Sequence, residues 1–146
     1  MSFIHVRGPA KNEPFAKLAS TAIAVAAALS FKGASGYVSQ ALVASVRIAG
    51  VSLGKVASTD DDFASNTIIP VIIPGEEDVF EATVSGTATQ ANVGRQYDLT
   101  QTAGGTAQAV DLSGTTYKVV TVVGFISSSK VLVKFNGNYV FANKAN

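Results

Sequence analysis

The sequence lacks most of the side chains with which enzymes do chemistry near neutral pH. It has no cysteine, no tryptophan, one methionine and one histidine, His5. The absence of cysteine excludes disulfides and thiolate metal sites. A Ser-His-Asp arrangement is not credible, because His5 lies ahead of any expected core. These absences predict a protein that is not an enzyme and that holds no cofactor.

Charged residues are also scarce. They make up 14% of the chain, where about 25% is usual for a soluble domain, and 47% of the residues are hydrophobic. A surface with so little charge is typical of a subunit that neighbouring molecules cover. We therefore expect the protein to work within an assembly.

The few charges are unevenly distributed along the chain. Residues 1–59 carry a net charge of +5, residues 60–98 carry −7 and residues 99–146 carry +3. A basic first segment and an acidic middle segment can attract each other between neighbouring copies. The simpler alternative is an acidic loop that is only solvated.

Residues that favour β-strands are abundant. The chain contains 19 valines and 12 threonines, spread among 13 glycines. Short apolar runs separated by turn residues predict an all-β fold of small β-barrel or sandwich lobes with an extended N-terminal arm. We divide the chain into the arm at residues 1–18, an N-terminal β lobe at 19–74 and a C-terminal β-barrel-like lobe at 75–146.

Local patterns predict particular strands and turns. The alanine-rich run at 19–29 is compatible with a helix, but its β-branched residues alternate, and we favour a strand. Hairpins are predicted at residues 33–36, between runs 28–32 and 37–39, and at 136–138, between runs 131–135 and 139–141. Pro70 predicts that the β-branched run around it is an edge strand or a bulge.

No motif predicts a catalytic, metal or nucleic-acid site. Asp60-Asp61-Asp62 lacks the spacing of a calcium loop. Asp98 and Asp111 are a candidate glycosidase pair by count alone, and each lies beside a turn. Basic and aromatic residues adjoin too rarely for a nucleic-acid surface, and no apolar run reaches the ~18–20 residues that span a bilayer. We expect neither nucleic acid nor membrane as a partner.

The first residues combine apolar and basic side chains. Three basic residues before an apolar stretch at 22–29 have the outline of a secretory signal, but the basic part is long and contains two prolines and Glu13, so we do not expect cleavage. Instead we expect the arm to dock on its own body or on a neighbour. The candidate interface residues in the arm and the acidic loop are Phe3, Ile4, Arg7, Lys11, Phe15, Asp60, Asp61 and Asp62.

The middle of the chain contains a series of segments in a characteristic order: KGASGYV at 32–38, IAGVSL at 48–53, ASTDDDFASNT at 57–67, IPV at 69–71, DVFEA at 78–82, VG at 93–94 and YDL at 97–99. Their order and spacing resemble small β-rich head proteins of tailed bacteriophages, of the capsid decoration or cement type. The resemblance covers roughly residues 30–100.

The resemblance implies a structural virion protein that binds the outer surface of an icosahedral capsid and cements adjacent capsomers. Its implied partners are the major capsid protein and copies of itself, as a homotrimer. Two alternatives remain open from the sequence. One is another virion component, such as a head fibre or tail subunit, and the other is a secreted β-rich module that binds carbohydrate or a cell surface.

Overall fold

The computed structural model describes residues 2–41, 47–101, 107–137 and 140. Over these residues the chain forms eleven β-strands and one 3₁₀ turn, with no α-helix, which confirms the predicted all-β class. The strands are β1 (Phe3–Arg7), β2 (Asn12–Ala16), β3 (Ala28–Phe31), β4 (Val38–Gln40), β5 (Ile48–Ser52), β6 (Ile68–Ile72), β7 (Val79–Ser85), β8 (Gln96–Gln101), β9 (Gln108–Asp111), β10 (Val120–Ser127) and β11 (Lys130–Phe135), with the 3₁₀ turn at Gln90–Asn92.

Strands β7 to β11 form a closed five-stranded barrel, here called the C-terminal barrel. The strands follow the order β7-β11-β10-β8-β9, and β9 returns to β7 through a parallel pairing of Val84 with Val110. The other neighbours in the ring are antiparallel. β1 adds to β7 outside the ring, with Phe3 opposite Ala82.

Strands β2 to β6 form a second sheet, here called the N-terminal sheet, in the order β2-β6-β5-β3-β4. This sheet also returns on itself, because a parallel bridge joins Lys17, just after β2, to Val38 on β4. The sheet wraps its own apolar cluster, which contains Ile23, Leu29, Val38, Ala49, Val56, Ile69 and Val71.

The two sheets have the same topology. If the strands of each sheet are numbered in chain order, both follow the order 1-5-4-2-3, and in both the first strand meets the third in parallel. The bond from Ala26 N to Ser52 O (2.9 Å) corresponds to that from Gly94 N to Val122 O (2.8 Å). Ala26 and Gly94 also share a positive φ, 57° and 84°. The chain therefore contains an internal structural repeat, with two units of five strands each.

The boundaries of the repeats follow from these strands. The first repeat runs from β2 to β6 and the second from β7 to β11, so the lobe boundary drawn at residue 74 falls between them. Residues 1–18, the predicted extended N-terminal arm, contain two strands. β1 belongs to the C-terminal barrel sheet, and β2 is the first strand of the N-terminal sheet.

The repeats differ most between their last two strands. The bond from Lys17 N to Thr67 O (2.9 Å) matches that from Val84 N to Ser129 O (3.1 Å), so these positions are equivalent. Between β10 and β11 the chain turns within two residues, whereas β5 and β6 are joined by residues 53–67. The acidic segment at 60–62 is thus an insertion present in only one repeat.

Two prolines face each other in the N-terminal sheet without interrupting it. Pro14 on β2 lies opposite Pro70 on β6. Bonds from Ile73 N to Lys11 O and from Lys17 N to Thr67 O bracket this pair, and the alternation of an antiparallel ladder makes it a non-hydrogen-bonded pair. The expectation of an edge strand or a bulge at Pro70 is wrong, because β6 lies between β2 and β5.

The other local predictions have mixed outcomes. The hairpin at 33–36 is confirmed, since β3 and β4 pair around it. The run at 19–29 is not a helix, but only its end, from Ala28, joins a strand. The second strand of the hairpin predicted at 136–138 lies outside the described residues except for Val140, which bridges in parallel to Ile48.

A continuous core and one buried side chain join the two repeats. Phe3, Ala28, Ile48, Val51 and Ile72 share an apolar cluster with the interior of the C-terminal barrel. The Gln108 amide, 4% exposed, accepts from Ala28 N (2.7 Å) and donates to Ala28 O (2.8 Å) and Ala41 O (3.0 Å). A side chain of β9 therefore completes the backbone bonding of the opposite sheet.

Candidate interaction surfaces

The candidate interface residues of the first segment have different environments. Phe3 is 1% exposed and packs against Phe135 with ring centroids 5.3 Å apart. Phe15 is half-buried and meets Phe31 edge-on at 5.6 Å. Ile4, Arg7 and Lys11 are exposed. Only these last three therefore remain available at the surface of a single chain.

The candidate residues of the acidic loop are all exposed, but two of their carboxylates already have partners. Asp60 Oδ2 accepts from Ala57 N at 2.8 Å, and Asp62 Oδ2 accepts from Thr67 Oγ1 at 3.1 Å. Among the residues that the structure describes, no three His, Asp or Glu side chains converge as metal ligands. The acidic loop therefore offers a negatively charged surface without a cation cage.

Lys17 anchors the acidic loop to the body of the protein. Its side chain is fully buried, and Nζ donates to Phe63 O (2.7 Å) and Leu18 O (3.1 Å). Burial lowers the pKa of the ammonium, and the negative charge of Asp62 opposes that shift. From the sequence we counted Lys17 only as part of the basic segment, since nothing in its neighbours marks it as buried.

A buried carboxylate fastens the residues that follow β1. Asp78 is 1% exposed and accepts from Ala10 N (2.9 Å), Gly75 N (2.8 Å) and His5 Nε2 (2.9 Å). Burial acts to raise the pKa of Asp78, but the two backbone N–H groups and the His5 ring together hold it below its usual value. The only histidine of the chain thus has a structural partner.

The carboxylates considered as a glycosidase pair are also occupied. Asp98 is 2% exposed and accepts from Tyr117 N (2.7 Å), Lys118 N (2.7 Å) and Thr116 N (3.2 Å). Asp111 accepts from the backbone and hydroxyl of Ser113 at 3.0 and 2.7 Å. Both side chains therefore hold turns of the C-terminal barrel.

One face of the N-terminal sheet exposes apolar side chains that the sequence analysis did not select. Pro14 pairs with Pro70, Ile68 lies two residues before Pro70, and Leu53 donates its N–H to Pro70 O at 2.9 Å. Ile68 is 66% exposed and Leu53 46%. We call Pro14, Leu53, Ile68 and Pro70 the apolar strip. The sequence contained a signal for this exposed face. Ile68 and Pro70 alternate with Ile69 and Val71 along one strand, so the two pairs must lie on opposite faces.

Two further apolar features lie at corresponding ends of the repeats. Phe125 (41% exposed) and Ile126 (44%), at the end of β10, are here called the hairpin knob. In the N-terminal repeat, residues 22–25 and 55–58 line an open groove of about 380 Å³, here called the N-terminal groove. Its two walls are joined by reciprocal 2.9 Å bonds between Ile23 and Val56.

Comparison with known proteins supplies no relative: no protein-family model matches the chain, and no curated protein matches it. In the part of the chain that the structure describes, none of the helical segments has the length and apolar character needed to cross a membrane.

Proposed function

We propose that the protein is a non-enzymatic structural component of a virion, which binds the outer surface of an icosahedral phage capsid and cements adjacent capsomers. In this proposal its partners are the major capsid protein and further copies of itself, arranged as a homotrimer. The resemblance of residues 30–100 to phage decoration proteins motivates the proposal. Neither nucleic acid, membrane nor cofactor takes part in it.

The apolar strip is the observation that carries this proposal. It places two large aliphatic side chains, Ile68 and Leu53, in solvent beside two prolines on a regular sheet face. Complete burial of such a side chain contributes roughly 1.5–3 kcal/mol, and these side chains would gain the part that they still expose. Because a lattice repeats each contact many times, a modest affinity per copy is sufficient.

The architecture of the protein is also suited to this function. Both sheets return on themselves, and Pro14 lies at a position of β2 where the backbone N–H would otherwise point away from β6. Few strand edges are thus left for uncontrolled association. A protein of this kind adds contact area at a seam without polymerising through its sheets.

The first test is the copy number of this chain in gradient-banded virus particles, measured by quantitative mass spectrometry against the main shell protein. A ratio near one, or a simple fraction such as about one third, is expected for a lattice-wide cement protein. A handful of copies per particle would instead indicate a fibre or tail subunit. Absence from particles would refute the virion function and favour the secreted binding module.

A second test locates the contact surface. We expect Ile68→Asp to weaken binding to shells that lack the protein by roughly tenfold or more, because a charge would be buried against the shell. Val6→Asp is the matched control, since Val6 is 48% exposed on β1. Equal binding by Ile68→Asp and the unmodified protein would exclude the apolar strip as the docking surface.

A further inference from the structure

The hairpin knob and the N-terminal groove include equivalent positions of the two repeats. Ser52 corresponds to Val122, since each exchanges the same pair of backbone bonds with its own repeat. Counting onward, Gly54 corresponds to Gly124, and residues 55–56 correspond to residues 125–126. One repeat therefore has a groove wall where the other repeat has two exposed apolar side chains.

The groove is suited to apolar side chains of this size. Three of the four residues in its first wall are Ala22, Ala24 and Val25, and Val56 and Ala57 lie in the second. Small side chains leave the space of about 380 Å³ open, which is enough for one aromatic and one aliphatic side chain. An apolar recess next to solvent gains free energy when an apolar group displaces its water.

We propose that copies of this chain associate head to tail, with the hairpin knob of one copy seated in the N-terminal groove of the next. The inference rests on the proposed self-association and names its contact surfaces. In this head-to-tail arrangement the groove of each copy receives the knob of one neighbour while its own knob enters the groove of another, so the interface is heterologous. A heterologous interface produces a ring if its rotation closes, and a homotrimer is the smallest ring other than a dimer.

The charges beside the two surfaces are complementary. The second groove wall contains one cation, Lys55, and leads directly into the three carboxylates of the acidic loop, where Ala57 N donates to Asp60 Oδ2 at 2.8 Å. Next to the knob, Lys130 pairs with Ser127 across the β10–β11 turn, and its side chain is 46% exposed. Lys130 Nζ contacts Glu81 at 3.0 Å, but an ammonium has three donors and can also reach an acidic loop. Seating the knob therefore brings a cation towards three carboxylates.

The decisive test mixes two defective variants in the absence of any shell. Phe125→Ser removes the main knob side chain, and Ala57→Trp fills the groove from an exposed position. By sedimentation velocity we expect the unmodified protein to self-associate and each variant alone to have a dissociation constant raised roughly tenfold or more. Mixing the two variants restores one intact contact, which gives a heterodimer. Val6→Ser, at a 48% exposed position of β1 outside the knob, the groove and the apolar strip, is the control and keeps the oligomer unchanged.

A covalent measurement guards against a variant that fails to fold. The chain has no cysteine, so Ile126→Cys and Ala57→Cys introduce one thiol each. We expect oxidation of their mixture to give a mixed disulfide dimer, and Val6→Cys mixed with Ala57→Cys to give none. A protein that stays monomeric at all concentrations, association unaffected by both variants, or equal cross-linking of the two mixtures would overturn the inference. Capsid binding is measured separately by copy number, so failure of one proposal does not imply failure of the other.

Discussion

Gln108 should be a principal contributor to the coupling of the two repeats. Its side chain bonds to backbone groups of the N-terminal sheet beside β3, with three hydrogen bonds of 2.7–3.0 Å to Ala28 and Ala41. Gln108→Leu keeps a side chain of similar size but removes these bonds from the buried Ala28 N–H and the Ala41 carbonyl, while the Ala28 carbonyl still accepts from Ala41 N at 2.8 Å. The substitution thus tests the polar contact rather than the packing.

The expected loss of stability follows from those two groups, the Ala28 N–H and the Ala41 carbonyl. Each buried polar group left without a partner costs about 1–3 kcal/mol, and the added leucine methyl groups return about 1 kcal/mol. We expect Gln108→Leu to lower the free energy of unfolding by about 3 kcal/mol, a large part of the ~5–15 kcal/mol typical of a domain.

Urea denaturation followed by circular dichroism measures this difference. Gln96→Leu is the matched control, because Gln96 is exposed on the neighbouring strand β8, and its effect should stay within about 0.5 kcal/mol. If Gln108→Leu lost less than about 1 kcal/mol, the bridging amide would not couple the repeats. Hydrogen exchange at Ala28 N, which should accelerate in the variant, provides an independent measurement.

Two further predictions concern the carboxylate at residue 78 and a glycine in β5. The pKa of Asp78 is lowered in the folded protein, so its contribution to the free energy of unfolding is fully present above the ordinary pKa of 3.8 and is lost as the pH falls through the folded pKa. In urea titrations, the stability difference between the unmodified protein and Asp78→Asn should therefore be constant above about pH 5 and shrink below about pH 4. A difference that stays constant down to pH 2 would contradict this. Gly50 has φ 152°, and a Cβ there would lie 2.0 Å from Ile72 O, so Gly50→Ala should lower the thermal midpoint by the equivalent of roughly 3 kcal/mol. Gly137→Ala is the control and should change the midpoint little, because Gly137 has open space around it. Equal midpoints for the two variants would show that β5 and β6 can separate at no cost.

Some of the fold could be predicted from neighbouring residues alone. The abundance of valine and threonine, with turn residues between short runs, was sufficient for the all-β class. The β3–β4 hairpin around residues 33–36 was also predicted, because its two strands adjoin in the chain and need only a local turn. The division into an arm at 1–18 and lobes at 19–74 and 75–146 stays a prediction.

The candidate surfaces were harder to predict because burial depends on distant partners. Phe3 has the composition of an exposed peg, but β1 lies along β7 and turns this ring towards Phe135. Ile68 is an aliphatic residue typical of a core, yet it lies on the exposed face of β6, opposite to the buried Ile69 and Val71. Alternation along a strand identifies two faces, but it does not show which one a neighbouring sheet covers.

The sequence by itself determined the all-β class of the protein, the turn at residues 33–36 and, since it has no cysteine, the absence of disulfides. Tertiary structure decided how the strands close into rings, since the Lys17–Val38 and Val84–Val110 contacts join the two ends of each sheet order, which three other strands separate. It also decided that the chain is a repeat. Equivalent positions such as Ala26 and Gly94 have the same backbone hydrogen bonds and a positive φ but different side chains. The equivalence is therefore seen only by comparing the folded backbones, because the residue types at these positions differ.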